Sequence, residues 1–379
     1  MTATAPAPLA ALELLVPRIE QTRAASAAQR RLPDELARSM AEAGLFALLV
    51  PRALGGLELD PLAAADVVEA ASRVDGSAGW AIMIGAQSAW FAAFLPPQVA
   101  AQVVGRPAAT LAGVLRPGGR AVRVDGGYRV SGRWGFASGC TYADHLYGTC
   151  VVEQARALRL VYVPAGAATV HDTWRSVGLR ATGSHDFSLH DVTVADDWTL
   201  PMPAPGTAPH DGPLYRDGYQ NLVFVLQAAQ ALGVARGALG AFIEVAEGTT
   251  RWLSGAVLRD RPMVQITAAR AEAKVASARA WLREAVAQVW ATILAGDPPS
   301  REQRIRVRLA ITHAISAAVG VADVLQQVAG ATAVAEDHPL QRRFQDLRTA
   351  AAHVQAAPSI FELAGGLLLG ADVPESVLL

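Results

Sequence analysis

The segment SGRWGFASGC, residues 131–140, contains the features from which the fold and chemistry of this chain can be approached. It follows an alternating stretch and predicts a strand that ends in a turn of small residues. Aromatic side chains flank the hydroxyl group of Ser138, and the glycines permit close approach of a flat ligand. The segment suits an isoalloxazine ring, with Trp134 or Phe136 at its face and Ser138 at its edge, or a tight β-turn above a core.

The residues around this segment predict a middle β-domain over residues 111–205. Apolar and polar residues alternate from Val122 to Val130 around Asp125-Gly126-Gly127, which is a hairpin signal. Further strands are predicted at 145–153, 158–163 and 187–194.

Helical patterns lie on either side of the β-domain, so the predicted class is α+β. An N-terminal α-helical domain is predicted over residues 1–110, with helices that begin near Pro33 and Pro61. Residues 201–213 are rich in Pro and Gly and predict a linker. The C-terminal domain, residues 206–379, is predicted to be an antiparallel four-helix bundle. Its four long helical stretches are 216–247, 261–295, 301–333 and 340–369.

The composition excludes several classes of partner. The net charge is -1, which gives no reason to expect nucleic acid or an anionic membrane. Hydrophobic residues make up 52%, which favours buried subunit interfaces and an oligomer. Residues 1–8 lack the pattern of an export signal, and the apolar stretch Gly79–Leu95 is short for a membrane span. We therefore expect a cytoplasmic protein in which Cys140 and Cys150 are free thiols.

Familiar cofactor motifs are missing from the sequence. We find no G-x-G-x-x-G after a strand, no Walker loop and no H-E-x-x-H. The glycines at 233, 237 and 240 lie inside a helical pattern and predict close helix packing. We therefore expect neither a Rossmann domain for a nicotinamide dinucleotide nor a metal site.

Two further segments carry polar residues in suggestive patterns. Residues 174–186 read WRSVGLRATGSHD and predict a bend between strands, in which His185, like the nearby His190, is interpreted as a surface strand residue. Residues 338–346 read HPLQRRFQD and predict a capping and salt-bridge network at a helix start. His353 follows near the middle of the same predicted helix, where a histidine is usually a packed core residue.

Taken together, these segments resemble a known family. The stretch GLFALLVP, residues 44–51, with Gly55-Gly56, and GLRATGSHD, residues 178–186, are similar to motifs of the acyl-CoA dehydrogenases. FASG, residues 136–139, and HPLQR, residues 338–342, with His353, resemble the two-component flavin monooxygenases of this fold. These include hydroxyphenylacetate and hydroxy-secosteroid hydroxylases, dibenzothiophene monooxygenases and amino-sugar N-oxygenases. The resemblance spans about residues 30–370 and implies an N-terminal helical domain, a middle β-barrel-like domain and a C-terminal four-helix bundle.

One departure from the dehydrogenase pattern matters. Acyl-CoA dehydrogenases often carry a catalytic glutamate about eight residues after an Arg-Asp pair in the last long helix. Here the pair is Gln345-Asp346, and Val354 stands at that distance. A valine cannot remove an α-proton. His353 instead matches the monooxygenases, in which a histidine at this place faces the oxygen adduct of the flavin.

The resemblance implies a reaction and a set of site residues. Reduced flavin, FADH2 or FMNH2, would come from a separate NAD(P)H:flavin reductase and bind between the β-domain and the bundle. O2 would add at its C4a carbon, and the resulting (hydro)peroxide would oxygenate a small organic substrate. Ser138 would hydrogen-bond N5, and His353 would stabilise the adduct. The resemblance further implies cofactor contacts from the ring-lining residues Trp134, Phe136, Ala137 and Gly139, and phosphate contacts from Arg251 and Gly330 of a neighbouring subunit. The long apolar helices after residue 216 predict a homotetramer built on contacts of the C-terminal bundle.

Two alternatives stay open at this point. An acyl-CoA dehydrogenase-like flavoprotein would oxidise an acyl thioester, and it would be recognised by binding of a CoA thioester. A flavin-binding subunit without catalysis would bind oxidised and reduced flavin alike.

Overall fold

The computed structural model describes residues 8–153, 155–204, 206–250, 255 and 257–371. Contacts divide the chain into two compact units. The first contains residues 1–60, 81–175 and 180–219, and the second contains residues 61–80, 176–179 and 220–379. Arg251, predicted to contact flavin phosphate, lies outside the described residues. The domain boundaries at residues 110 and 205 stay a prediction.

The helices of the first unit begin at the expected signals. They are α1 (Pro8–Gln29), α2 (Asp34–Glu42) and α5 (Pro97–Val103), together with most of α4 (Gly76–Ala92), which starts in the second unit. Asp34 and Glu35 lie in the first turn of α2, where carboxylates offset the partial positive charge of the helix start. Nearly every residue of α4 is buried, which confirms the expectation of a buried helix.

The motif glycines before α3 have a steric reason. Gly55 has φ +83°, a left-handed conformation that L side chains rarely adopt. A Cβ atom at Gly56 would lie 2.3 Å from the carbonyl oxygen of Val50. The chain can therefore turn back on itself here only if both positions lack a side chain.

A seven-stranded mixed sheet forms the rest of the first unit. Its strands are β1 (Leu111–Val124), β2 (Gly127–Ala137), β3 (His145–Val152), β4 (Leu158–Pro164), β5 (Thr169–His171), β6 (His185–Ala195) and β7 (Thr199–Pro201), in the order β5-β6-β2-β1-β3-β4-β7. Val124 pairs with Gly127 in an antiparallel hairpin, as predicted, whereas β1 and β3 run parallel. Alternate side chains of β2, from Tyr128 to Trp134, point into the apolar core of this unit.

The second unit is helical. It contains α3 (Pro61–Val74), α6 (Tyr219–Leu222), α7 (Val225–Gly248), α8 (Pro262–Leu294), α9 (Arg301–Ala329), α10 (Pro339–Ala350) and α11 (Pro358–Leu368). Helix α7 packs against α3 through glycines. A Cβ atom at Gly233 would lie 2.3 Å from the carbonyl oxygen of Glu69, and one at Gly237 would lie 2.7 Å from that of Arg73. The packing prediction is confirmed at these two glycines and is wrong for Gly240, where an added Cβ meets nothing within 4 Å.

The fourth predicted helical stretch, residues 340–369, is not one helix. Helix α10 ends at Ala350 and α11 begins at Pro358. The proline disfavours a helical conformation at the residue before it, and Ala357 is extended. His353 is also extended, with φ -73° and ψ 148°, and precedes a 3₁₀ turn at Val354–Ala356. The placement of His353 in the middle of a helix was therefore wrong.

One helical stretch of the described residues, Arg301–Ala333, is long and apolar enough to cross a membrane. Of its apolar window, 56% is buried inside the protein, and core helices of soluble proteins have the same property. The capping box of Ser300 and Gln303 gives this helix a polar start, in which each side chain bonds the backbone of the other.

Candidate active site

The end of β2 and the segment 182–184 together form a tight turn in the first unit. Phe136 has φ +65° and lies at an irregularity near the end of β2, where the pairing with β6 shifts between Trp134 and Ala137. The Ser138 amide then donates to the carbonyl oxygen of Phe136 at 2.9 Å, and the Gly139 amide donates to that of Thr182 at 2.9 Å. The turn is therefore attached to the segment that carries the family-like GLRATGSHD motif.

Three hydroxyl groups form a continuous row beside this turn. Ser138 Oγ lies 2.7 Å from Ser184 Oγ, which lies 2.6 Å from Thr182 Oγ1. All three side chains are buried. We call Ser138, Ser184 and Thr182 the hydroxyl row. Ser184 and Thr182 were missed by sequence reasoning, although the adjacent Thr-Gly-Ser in a bend was the signal for them.

An aromatic pair, the exposed Phe136 and the half-buried Trp174, lies next to the row. Phe136 is 70% exposed, and its ring meets that of Trp174 edge to face, with centroids 6.3 Å apart. The Trp174 loop is held by Arg30, which donates to the Trp174 carbonyl oxygen at 2.9 Å. A large apolar side chain on strained, exposed backbone is typical of a ligand-contacting residue.

His185 supports the same loop from beneath. Its Nδ1 accepts the amide protons of Thr173 and Trp174, at 3.2 and 3.1 Å. Burial lowers the pKa of His185, and the neutral ring is the form that can accept at Nδ1. The interpretation of His185 as a surface residue was therefore wrong, whereas His190 is exposed as expected.

Trp134 requires a correction. Its side chain is only 1% exposed, stacks on Phe187 with centroids 4.9 Å apart, and donates from Nε1 to the Thr149 carbonyl oxygen at 2.8 Å. A Cβ atom at Gly148 would lie 2.4 Å from this indole, so the ring fills a space that glycine leaves. The prediction that Trp134 lines a bound ring was wrong, because the alternation of β2 directs its side chain into the core.

The remaining members of the predicted ring-lining group share the Ser138 turn. The Ala137 side chain is buried, so this residue can present only its backbone to a ligand. Gly139 has φ +82°, and a Cβ atom there would lie 2.8 Å from the Tyr142 hydroxyl oxygen. The turn 136–139 therefore offers one exposed ring, one hydroxyl group and two backbone segments.

His353 lies in the second unit in a mostly apolar setting. Its ring meets that of Trp80 edge to face at 6.0 Å, and its Nδ1 accepts the Gln355 amide proton at 3.3 Å. Burial lowers the pKa of His353 to about 4. The ring is therefore neutral near pH 7, and because Nδ1 is an acceptor, the proton resides on Nε2.

Gln227 of α7 is the partner of that proton. The Gln227 amide lies 3.1 Å from His353 Nε2, and its side chain is buried. The amide atom at this distance is the nitrogen, and the amide oxygen Oε1 has no partner among the described residues. The amide nitrogen and oxygen exchange places when the group rotates about its terminal bond, and in that orientation Oε1 accepts the proton of Nε2–H. Sequence reasoning missed Gln227, although two glutamines, Gln227 and Gln230, in an apolar helical run were a usable signal.

Asp346 of α10 forms a clamp on the segment 176–179. Its carboxylate accepts the Leu179 amide proton at 2.6 Å, and Leu179 is held at φ +50°. A Cβ atom at Gly178 would lie 2.1 Å from the Gln345 carbonyl oxygen, so this helix approach requires glycine. Burial, with the nearby Asp75 carboxylate, raises the pKa of Asp346 to about 7. At the start of α10, His338 Nδ1 accepts the Leu340 amide proton and caps the helix.

The predicted site residues thus fall into two groups. Phe136, Ala137, Ser138 and Gly139 share one turn of the first unit, whereas His353 belongs to the second unit. Gly330 also belongs to the second unit, where it ends α9 with φ +63°. The described residues contain no group of three or more His, Cys, Asp or Glu that could hold a metal ion. Cys140 and Cys150 are buried free thiols, and burial raises the pKa of each to about 12.

This fold and site define the acyl-CoA dehydrogenase class. Residues 10–95 match the acyl-CoA dehydrogenase N-terminal domain, and residues 225–358 match the acyl-CoA dehydrogenase C-terminal domain. The structure is similar to that of the 3-HSA hydroxylase from Rhodococcus sp. RHA1, with TM-score 0.91, 28% identity and coverage of 98% of this chain and 99% of that one. XiaF from Streptomyces sp., in complex with FADH2 and glycerol, gives TM-score 0.89 at 27% identity, over 97% of this chain and 96% of that one. The predicted fold is confirmed.

Proteins of similar sequence show to which group within this class the chain belongs. The chain is 34% identical to indole-3-acetate monooxygenase from Pseudomonas putida, over 90% of this chain and 88% of that protein. It is 30% identical to the flavin-dependent monooxygenase oxygenase subunit HsaA of Mycobacterium tuberculosis, over 92% of each. The chain therefore belongs to the flavin-dependent monooxygenases of the acyl-CoA dehydrogenase family, as the resemblance implied. It is an oxidoreductase of the two-component type.

Proposed function

We propose that this protein takes reduced flavin, FADH2 or FMNH2, from a separate NAD(P)H:flavin reductase and uses it with O2 to oxygenate a small aromatic compound. The observation that carries this proposal is the buried Ser138 hydroxyl group, which lies in a hydrogen-bonded row beside the exposed ring of Phe136. The chain that carries this group is similar to a monooxygenase over 90% of its length. The oxygenase subunit HsaA bears a name that implies a second, reducing component.

The Ser138 turn fits a flavin ring chemically. The flat, exposed Phe136 ring offers a stacking surface, and Ser138 Oγ offers a hydrogen bond to N5. Phe136 and Gly139 both have positive φ, and this backbone conformation places the Phe136 ring in solvent next to the buried Ser138. Trp134 takes no part in this contact and instead supports the strand that ends at the turn.

Bound reduced flavin supplies two electrons and the carbon at which oxygen is activated. The chain's own residues control protons and water. With the flavin bound, Ser138 Oγ would hydrogen-bond N5, and His353 Nε2–H would donate a hydrogen bond to the oxygen that is transferred, in place of Gln227. Because burial holds the pKa of His353 near 4, the ring is neutral and donates without releasing its proton at neutral pH. Trp80 and the apolar residues of α7 exclude water around this ring, which slows the loss of oxygen as hydrogen peroxide.

The catalytic base that acyl-CoA dehydrogenases often carry about eight residues after the Arg-Asp pair is missing from this chain. Val354 is 62% exposed and bears no titratable group, and Glu362 is an exposed residue of α11. This arrangement supports oxygen transfer rather than removal of an α-proton.

We also propose that the active form is a homotetramer in which Arg251 and the backbone at Gly330 reach the flavin phosphate of a neighbouring subunit. A groove of about 580 Å³ lies between α8 and α9 of the second unit, and it supports the proposal that subunits contact each other through this surface. Its apolar wall includes the exposed side chains of Met263, Ile266 and Val324. An exposed apolar surface of this kind is typical of an interface.

The substrate class and the location follow from the same comparison. A relative named for indole-3-acetate supports a small aromatic substrate. The buried Trp80 ring beside His353 offers such a compound an apolar aromatic contact. The balanced net charge of -1 and the core position of the apolar helix support a cytoplasmic enzyme without membrane or nucleic-acid partners.

The test uses the purified chain with and without a flavin reductase. We expect that the chain alone does not oxidise NADH or NADPH, and that a reductase starts the turnover of O2. With indole-3-acetate as the probe substrate, ¹⁸O2 should place one labelled oxygen atom in the product. Rapid oxidation of NADH by the chain alone, or failure to bind FADH2 and FMNH2, would contradict the proposal. Oxidation of an acyl-CoA thioester would show that the dehydrogenase alternative is correct.

A further inference from the structure

Ser138 is not an isolated hydroxyl group, and the direction of its proton depends on two buried neighbours. A hydroxyl group has one donor and two acceptor positions. The contacts of 2.7 Å between Ser138 and Ser184 and of 2.6 Å between Ser184 and Thr182 are short enough for strong bonds. Each oxygen can be the donor, so the row can be polarised in either direction. In one direction Ser138 donates inward to Ser184, and in the other Ser138 is left to donate outward.

We propose that Ser184 and Thr182 are positioning residues that select the reduced form of the flavin through Ser138. This inference rests on the proposed function, in which Ser138 contacts flavin N5. Reduced flavin carries a hydrogen on N5, so a partner of N5 must accept, whereas oxidised flavin presents a bare N5 and needs a donor. Ser138 accepts well when its own proton is given to Ser184, and hydrogen bonds polarised in one direction strengthen one another.

The structure makes Ser184 the residue on which this selection depends. Ser184 Oγ is the middle of the row and bonds both other hydroxyl groups. In Ser184→Ala the acceptor of the Ser138 proton is removed from a buried position. Binding reduced flavin would then force Ser138 to accept from N5 without the Ser184 acceptor, which is costly for a buried donor. Oxidised flavin would be affected less, because N5 itself accepts that proton.

The row is also held in place independently of any ligand. Gly139, the residue after Ser138, donates its amide proton to the Thr182 carbonyl oxygen at 2.9 Å. A backbone hydrogen bond therefore links the two segments that carry the ends of the row. The Cys140 thiol packs at 3.5 Å from the Gly183 carbonyl oxygen and is kept protonated by burial. Substitution of a single hydroxyl group should therefore change proton direction without moving the turn.

The experiment is anaerobic equilibrium binding of FAD and FMN, each in the oxidised and the reduced form. We expect the wild type to bind the reduced form more tightly. Ser184→Ala should lower the ratio of the oxidised to the reduced dissociation constant about tenfold, and Thr182→Val about threefold. Thr182→Ser, which keeps the hydroxyl group, should restore the ratio. Ser188→Ala should leave it unchanged, because that β6 hydroxyl bonds His171 outside the row.

The controls separate the possible failures. Thr182→Val preserves side-chain shape and serves as the test variant if Ser184→Ala does not fold. The double variant Ser138→Ala/Ser184→Ala should match Ser138→Ala, because the effect of Ser184 acts through Ser138. Equal weakening of both redox forms, with an unchanged ratio, would show a merely structural role for Ser184 and overturn the inference. A wild type that binds neither form would overturn the proposed function and the inference with it.

Discussion

His353 and Gln227 form a pair in which each residue defines the state of the other. The low pKa of His353 and the Gln355 amide proton at Nδ1 leave Nε2–H as the one donor of the neutral ring. The Gln227 side-chain amide lies 3.1 Å from Nε2, and with its oxygen turned to the ring it accepts this proton, so Nε2–H is a preformed donor in an apolar setting. A ligand oxygen can take the place of Gln227 without a change in the protonation of the ring. Sequence reasoning gave His353 a role but could not supply this partner, which is 126 positions away in the chain.

The first prediction concerns removal of that donor. His353→Ala should fold with a stability loss of about 1 to 2 kcal/mol and should still bind reduced flavin. Product formation should fall, and the consumed oxygen should appear as hydrogen peroxide, because the activated oxygen loses its hydrogen bond. A loss of about 1.4 kcal/mol in the barrier to that breakdown makes it about tenfold faster. The measurement is peroxide released per NADH consumed, with a reductase present.

A matched control separates donation from packing. His313 also packs on a tryptophan, Trp281, with ring centroids 5.2 Å apart. His313→Ala should lose comparable packing and keep wild-type coupling of oxygen to product. If His353→Ala couples as well as His313→Ala does, then His353 is a packing residue only.

The second prediction is a pH dependence that arises at Asp346. Its pKa is raised to about 7 in the fold, whereas an exposed aspartate has a pKa near 3.8. The fold therefore binds this proton more tightly than the unfolded chain does, so stability is fully present below about pH 4 and declines as the pH rises through about 7. Asp346→Asn keeps an oxygen for the Leu179 amide and removes the titration. Urea unfolding from pH 4 to pH 8 should show the variant gaining stability relative to the wild type as the pH rises, and a constant difference would contradict the assignment.

At the scale of elements, the approach of α10 to the segment 176–179 depends on absent side chains. Gly178 lies against the backbone of Gln345, and Gly76 lies against Asp346, where a Cβ atom would be 2.5 Å from Oδ2. Two short segments from different parts of the sequence therefore meet one helix through glycine. In the GLRATGSHD motif, the first glycine, Gly178, makes this contact, and Thr182 and Ser184 belong to the hydroxyl row.

The third prediction tests that contact. Gly178→Ala should destabilise the protein by about 2 to 4 kcal/mol, because its Cβ would lie 2.1 Å from a backbone oxygen that cannot move freely. Gly240→Ala is the control, since nothing lies within 4 Å of its Cβ and alanine favours the helix by up to about 1 kcal/mol. Thermal unfolding of both variants checks this. Equal effects at the two positions would show that the Gly178 contact carries no stability.

Local signals explain which elements the sequence predicts well. The helix over 61–74 and the hairpin at Asp125–Gly127 follow from caps, periodicity and turn residues, and they appear with the expected bounds. The orientation of Trp134 and the burial of His185 depend on packing between distant strands, which periodicity does not report. The start of α11 has a local signal, Pro358, that the apolar periodicity of the same stretch obscures.

At the scale of the whole molecule, the high content of hydrophobic residues is partly explained by apolar side chains on the surface of the second unit. Hydrophobic residues make up 52% of the chain, and several large ones remain exposed in the second unit. On the groove between α8 and α9 they are accompanied by Arg261, Arg270 and Lys274. An apolar strip bordered by charge suits a specific contact between subunits better than nonspecific aggregation.

The last prediction concerns assembly. Light scattering after gel filtration should give the mass of a tetramer, about four times 39.7 kDa. Ile266→Lys places a positive charge on the apolar wall of the groove, beside Arg270, and should shift the protein toward smaller species, since an unpaired charge in an interface is costly to desolvate. Glu244→Gln, on the exposed face of α7, should leave the mass unchanged. If the groove is an interface that completes the flavin site, reduced-flavin affinity should fall together with the mass. A wild-type monomer at micromolar concentration would contradict the tetramer and remove the role proposed for Arg251 on a neighbouring subunit.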